Sequence, residues 1–115
     1  MINQEVFEKL LEIGGANLAR RVIDLFFEHT PGKVQSLSGS LREQDCKAIE
    51  RTAHSIKSSA ANLGLEALRQ VSSDLEQAAN RGDLEACTTL VPQLETACSQ
   101  SEISLRNKQK ELETA

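Results

Sequence analysis

The stretch His54-Ser55-Ile56-Lys57-Ser58-Ser59-Ala60-Ala61-Asn62-Leu63-Gly64 sets one imidazole and one ammonium a single helical turn apart. Side chains three or four residues apart on a helix share a face, so His54, Lys57 and Ser58 form one patch. An imidazole in such a patch can act as a nucleophile toward phosphorus, and a lysine beside it can hold the anion that results. No comparable cluster occurs elsewhere in the chain.

The elements that must position this patch are helical. The chain has two prolines and no strand-like alternation of β-branched residues. Breaks are expected at Gly14-Gly15, Thr30-Pro31-Gly32, Gly39, Gln44-Asp45, Gly64 and Arg81-Gly82-Asp83. They divide the chain into helices near 3–13, 17–30, 32–43, 46–63, 65–80 and from 84 onward. Apolar stripes run through them: Cys46, Ile49, Ala53, Ile56, Ala60 and Leu63 in the fourth, and Leu68, Val71, Leu75 and Ala78 in the fifth. The last carries Leu84, Cys87, Leu90 or Val91, Leu94 and Ala97 or Cys98; the second carries Leu18, Val22, Leu25 and Phe26-Phe27. Such stripes, joined by short connections, predict an all-α protein: an antiparallel up-and-down four-helix bundle with short additional N-terminal helices covering one end or flank. Pro92 should bend the last helix near Thr88. Residues 1–105 are expected to form a single domain, and the charged tail 106–115 to fray.

Ala53 and Ile56 lie in the buried stripe, which turns His54 about 100° outward. Its same-face neighbours are Glu50, Lys57, Ser58 and Ala61; the last two are small and would let a partner come close. Gly64 ends this helix, with a left-handed cap as its expected conformation. The next helix folds back from that turn and brings Asp74 or Glu76 opposite His54. Either carboxylate could bond the second ring nitrogen and fix the tautomer; Glu76 is preferred. Taken singly, these residues read more blandly, His54, Lys57 and Glu76 as solvated charges and the Ser58–Ala61 run as close helix packing. His29, placed before Thr30-Pro31, is accounted for by the dipole at a helix end.

Composition excludes several function classes. At 115 residues there is one core, and aromatics are 3%, all Phe, so there is no stacking platform for bases. A formal charge of −4 argues against a nucleic-acid partner. No apolar run approaches a membrane span, and the start Met1-Ile2-Asn3-Gln4-Glu5 lacks a signal peptide's pattern, so the expected location is the cytoplasm. Starting at Met1 with little before the first helix suggests a free-standing protein, with a piece of a longer multidomain protein as the alternative. Cys46, Cys87 and Cys98 are widely spaced, without a C-x-x-C pair or adjacent His, and read as small buried side chains; no metal site is expected. There is no P-loop or glycine-rich kinase lid.

His54-x-Ile56-Lys57-Ser58-Ser59-x-x-Asn62-Leu63-Gly64 resembles the signature of histidine-containing phosphotransfer (HPt) domains of two-component phosphorelays. The similarity continues through Leu68, Leu75-Glu76 and Arg81-Gly82-Asp83, over roughly residues 20–100. Ser58 stands where that family more often has Gly; it is still small, and its hydroxyl is a candidate phosphoryl contact. The resemblance implies a monomeric phosphoryl carrier and not an enzyme. His54 would accept the group from a receiver aspartate of a response regulator and pass it to another receiver, with Lys57 steadying the phosphoryl oxygens. It implies receiver domains as partners, with a hybrid sensor kinase among the candidates, and no cofactor on this chain, the Mg²⁺ residing on the receiver. Phe26, Phe27 or Ala61 would contribute to docking. Two other classes fit the helices less well: a receiver-binding adaptor that takes no phosphate, and a kinase-type dimerisation domain, whose histidine is usually followed by an acidic residue and an Arg-Thr-Pro-like run unlike Ser55-Ile56-Lys57.

Overall fold

The computed structural model describes residues 2–114. Four helices follow one another: α1 (Gln4–Arg42), α2 (Cys46–Leu63), α3 (Glu66–Asn80) and α4 (Leu84–Thr114). Each packs on the next and α1 also packs on α4, which closes an antiparallel up-and-down bundle. The bundle is 46 Å long and under 20 Å across. At about 1.5 Å rise per residue, α4 alone spans that length.

The connections are set by capping. Asp45 accepts a hydrogen bond from the Ala48 amide at the start of α2, and Asp83 accepts one from the Ala86 amide at the start of α4. At the end of α2, the Leu65 amide bonds the Ala60 carbonyl and the Gly64 amide bonds the Ala61 carbonyl. This reciprocal closure requires a left-handed residue, and Gly64 takes φ 70°, ψ 28°. The same pattern closes α3 at Gly82 and α1 at Gln44, whose φ is 56° although it carries a side chain.

The core is the stripe of each helix. Ile49, Ala53, Ile56, Ala60 and Leu63 of α2 meet Leu68, Val71, Leu75 and Ala78 of α3, with Phe7, Ile23, Phe26 and Leu37 from α1 and Cys87, Val91, Leu94 and Leu105 from α4, all buried. Each large aliphatic side chain buried this way contributes about 1.5–3 kcal/mol, which makes the stripes the main source of cohesion. All three cysteines are free; Cys87 and Cys98 are buried and Cys46 is half-buried. Burial raises the Cys87 thiol pKa and pushes that of Cys98 up to about 11, which keeps both protonated and unreactive.

Three sequence expectations need correction. The breaks expected at Thr30-Pro31-Gly32 and Gly39 do not occur: after the kink at Gly15 (φ 69°, ψ −166°), α1 runs unbroken to Arg42. Ile23, Phe26, Thr30, Val34 and Leu37 keep one buried stripe through Pro31, and this packing outweighs one missing backbone hydrogen bond. The N-terminal cover is therefore one segment, Gln4–Gly14, seated by Phe7, and the helix expected near 32–43 is part of a bundle helix. Second, His29 is not at a helix end; it is exposed in mid-helix, with Glu28 at 3.8 Å. Third, the segment expected to fray from Arg106 is helical to Thr114 because Leu105 and Leu112, two turns apart, both bury; Ala115, like Met1, lies outside the described residues.

Candidate functional site

α2 presents His54 on the side away from its buried stripe, and the ring is 61% exposed. α3 runs antiparallel beside it from the tight Gly64 turn, and that register brings Glu76 opposite. The Glu76 carboxylate spans two partners: Oε2 lies 2.7 Å from His54 Nδ1, and Oε1 accepts a hydrogen bond from Lys57 Nζ at 2.6 Å. Asp74, the other candidate, instead accepts from Gln70 and is exposed.

The carboxylate fixes the state of the ring. An ionised carboxylate only accepts, so Nδ1 must carry the proton that bridges to Oε2. In the neutral ring this leaves the lone pair on Nε2, on a side chain that is largely exposed. Glu76 itself is only 20% exposed. The Lys57 hydrogen bond pulls its pKa below the usual 4.5; partial burial opposes this and the His54 bond adds to it. The ionised form is therefore favoured by the fold. That contribution to stability is present above pH 4.5 and is lost as pH falls through the lowered value. Glu76→Gln should accordingly be less stable than the parent at neutral pH, and urea denaturation should show the difference shrinking across the acid range. A gap that stays constant in acid would mean that Glu76 acts through packing alone.

Ser58 is exposed one turn beyond His54, and its hydroxyl donates to the His54 carbonyl at 3.2 Å. Gly64 shapes the turn and does not touch the ring. Ala61 is exposed two turns from His54 and is not part of the cluster; it borders a shallow groove with Val6, Leu10, Ile13 and Val22. Phe26 is buried, and Phe27 is half-buried under the Arg106 guanidinium at 4.6 Å, so both phenylalanines are framework. Sequence reasoning missed Lys33 of α1, whose Nζ donates to the Ser55 hydroxyl at 2.6 Å, and the Asn80 amide that donates to Glu50 at 2.8 Å. A helix break read at Pro31 hid the register that places Lys33 there. Among the described residues, no three His, Cys, Asp or Glu side chains gather as metal ligands.

Residues 21–103 match the Hpt domain family. Over 76 residues the chain is 30% identical to the aerobic respiration control sensor protein ArcB of Escherichia coli K12, and equally to that of Shigella flexneri. The matched stretch is 66% of this chain and 10% of ArcB, so the chain spans about a tenth of the length of these curated relatives. The fold superposes on the crystal structure of histidine-containing phosphotransfer protein B (HptB) from Pseudomonas aeruginosa PAO1 with a TM-score of 0.88, at 25% identity, over 96% of this chain and 95% of that one.

Proposed function

The chain belongs to the Hpt domain family, and from that premise we propose that it is a phosphoryl carrier of two-component signalling with His54 Nε2 as the acceptor atom. The observation that carries this reading is the Glu76 bond to Nδ1, which leaves the lone pair of an exposed ring on Nε2, with the Lys57 ammonium held by the same carboxylate. A receiver domain phosphorylated on aspartate docks over this face. Nε2 attacks phosphorus in line with the anhydride oxygen; the N–P bond forms as the P–O bond breaks, and the electron pair returns to the partner's aspartate. The ring becomes a phosphoimidazolium that keeps its Nδ1 proton, and the Glu76 carboxylate balances the new positive charge. Reversal with a second receiver passes the group on. The Mg²⁺ that neutralises phosphoryl charge in such transfers belongs to the receiver. No ATP site is assigned to this chain, which acts as a carrier and not as a kinase; residues 1–105 supply the carrier domain.

Lys57 has two anionic candidates, Glu76 and the phosphoryl oxygens, and Lys57→Ala is expected to slow transfer about 10- to 100-fold, less than a fully enclosed donor would cost. Since Lys57→Ala also removes the bond that favours ionised Glu76, a modest fall in melting point is expected; global unfolding would show the residue to be structural. The proposal as a whole is tested by incubation with receiver domains charged by acetyl phosphate. Label that is acid-labile, base-stable and mapped to His54 supports it, whereas stable binding without label would make the chain an adaptor.

A further inference from the structure

We infer that Lys47, Arg51 and Lys33 form a cationic strip beside His54 that docks the acidic, phosphate-bearing face of a receiver domain; the inference rests on the carrier reading above. The ammonium of the His54 cluster has little free charge to offer, since Lys57 is matched by Glu76 at 2.6 Å. An aspartyl phosphate arrives as an anion, so attraction must come from elsewhere. On α2, residues 47, 51, 55 and 59 follow at intervals of four and form one ridge next to the ridge that carries His54. Lys47 and Arg51 are exposed on it. At Ser55 the ridge gains a third cation from α1, because Lys33 Nζ is held by the Ser55 hydroxyl at 2.6 Å. Among the described residues none of these three ammonium or guanidinium groups forms an ion pair, in a chain whose net charge is −4.

The strip lies on the flank of α2 opposite Glu76, so the partner's negative face would meet its unmatched positive charge on that side of the ring. Lys33 is the best ordered of the three, being half-buried and anchored, and so loses least side-chain freedom on binding. Charges at an interface rim act mainly on association and its salt dependence.

The test uses the full chain and the receiver domain that labels it fastest after charging with acetyl phosphate. Lys33→Gln and Arg51→Gln should each lower kcat/KM for transfer about 3- to 10-fold and flatten its decline with added salt. The first-order rate at saturating receiver should stay unchanged, as should labelling by phosphoramidate, a donor with no protein surface. Lys33→Arg, which keeps the charge, should restore the parent values; the salt slope is the readout that a role confined to tying α1 to α2 would not move. Unchanged kcat/KM and salt slope in both Gln variants would overturn the strip. Absence of His54 label in the parent protein with every receiver would overturn the carrier reading, and the strip with it.

Discussion

A His54→Gln protein is expected to take no phosphoryl label from any charged receiver while folding and melting like the parent. Glutamine keeps a side-chain amide N–H that can donate to Glu76, so the buried half of the hydrogen-bond pattern survives. The amide has no nucleophilic lone pair to replace Nε2, so the loss of transfer is complete and not partial. The ring is 61% exposed, and exchanges at such positions typically change stability by about 0.5 kcal/mol or less. His29→Gln, at the other exposed imidazole, serves as the control and should label normally; the Glu28 carboxylate lies 3.8 Å from its Nε2, too far to hold the ring as Glu76 holds His54. Label retained by His54→Gln and lost in His29→Gln would move the acceptor to α1.

Gly64→Val is expected to cost about 3–5 kcal/mol of folding free energy, the sum of left-handed strain at a β-branched residue and loss of the N-terminal docking. A side chain at φ 70° is strained before any contact is considered. A Cβ there would also lie 2.8 Å from the Asn3 carbonyl oxygen and 3.1 Å from Val6 Cβ. Asn3 cannot retreat without breaking its own amide bond to the Gly64 carbonyl at 2.6 Å, and Ile2 pairs with Leu65 next to it. For a domain of this size the loss corresponds to a fall in melting temperature of roughly 10–20 °C, readable by circular dichroism. A fall of only a degree or two would mean that the turn is not in the left-handed state. Since the same turn sets the α2–α3 register, the surviving folded fraction should also lose transfer in proportion to the displacement of Glu76.

Both ends of α2 were legible because each carries its own chemical mark: Asp45 bonds the Ala48 amide, and Gly64 closes the turn. Its 3-4 stripe then fixed the outward direction of His54, and the short turn narrowed the facing carboxylate to Asp74 or Glu76, of which the structure brings Glu76 to the ring. α1 was not legible in the same way. Pro31 and Gly39 are local signals of weakness, but the fate of a helix is decided by what its face buries, and Phe26, Thr30, Val34 and Leu37 are all buried across that point. The end of α4 failed for a related reason: only Leu105 and Leu112 are apolar anchors there, two turns apart among charges, and their burial depends on partners distant in sequence. The Lys33–Ser55 bond joins residues 22 apart on different helices. No spacing rule connects them until the register of α1 is known.

On the carrier reading, the acceptor ring would stand 61% exposed on the flank of a bundle less than 20 Å across. A single imidazole on a convex surface has room for one protein at a time. A carrier built this way cannot hold donor and recipient together: the first must depart before the second lands. Between those two events an N–P bond on this exposed ring would face solvent, and its hydrolysis lifetime would set how far apart in time, and at what dilution, two partners could still be connected.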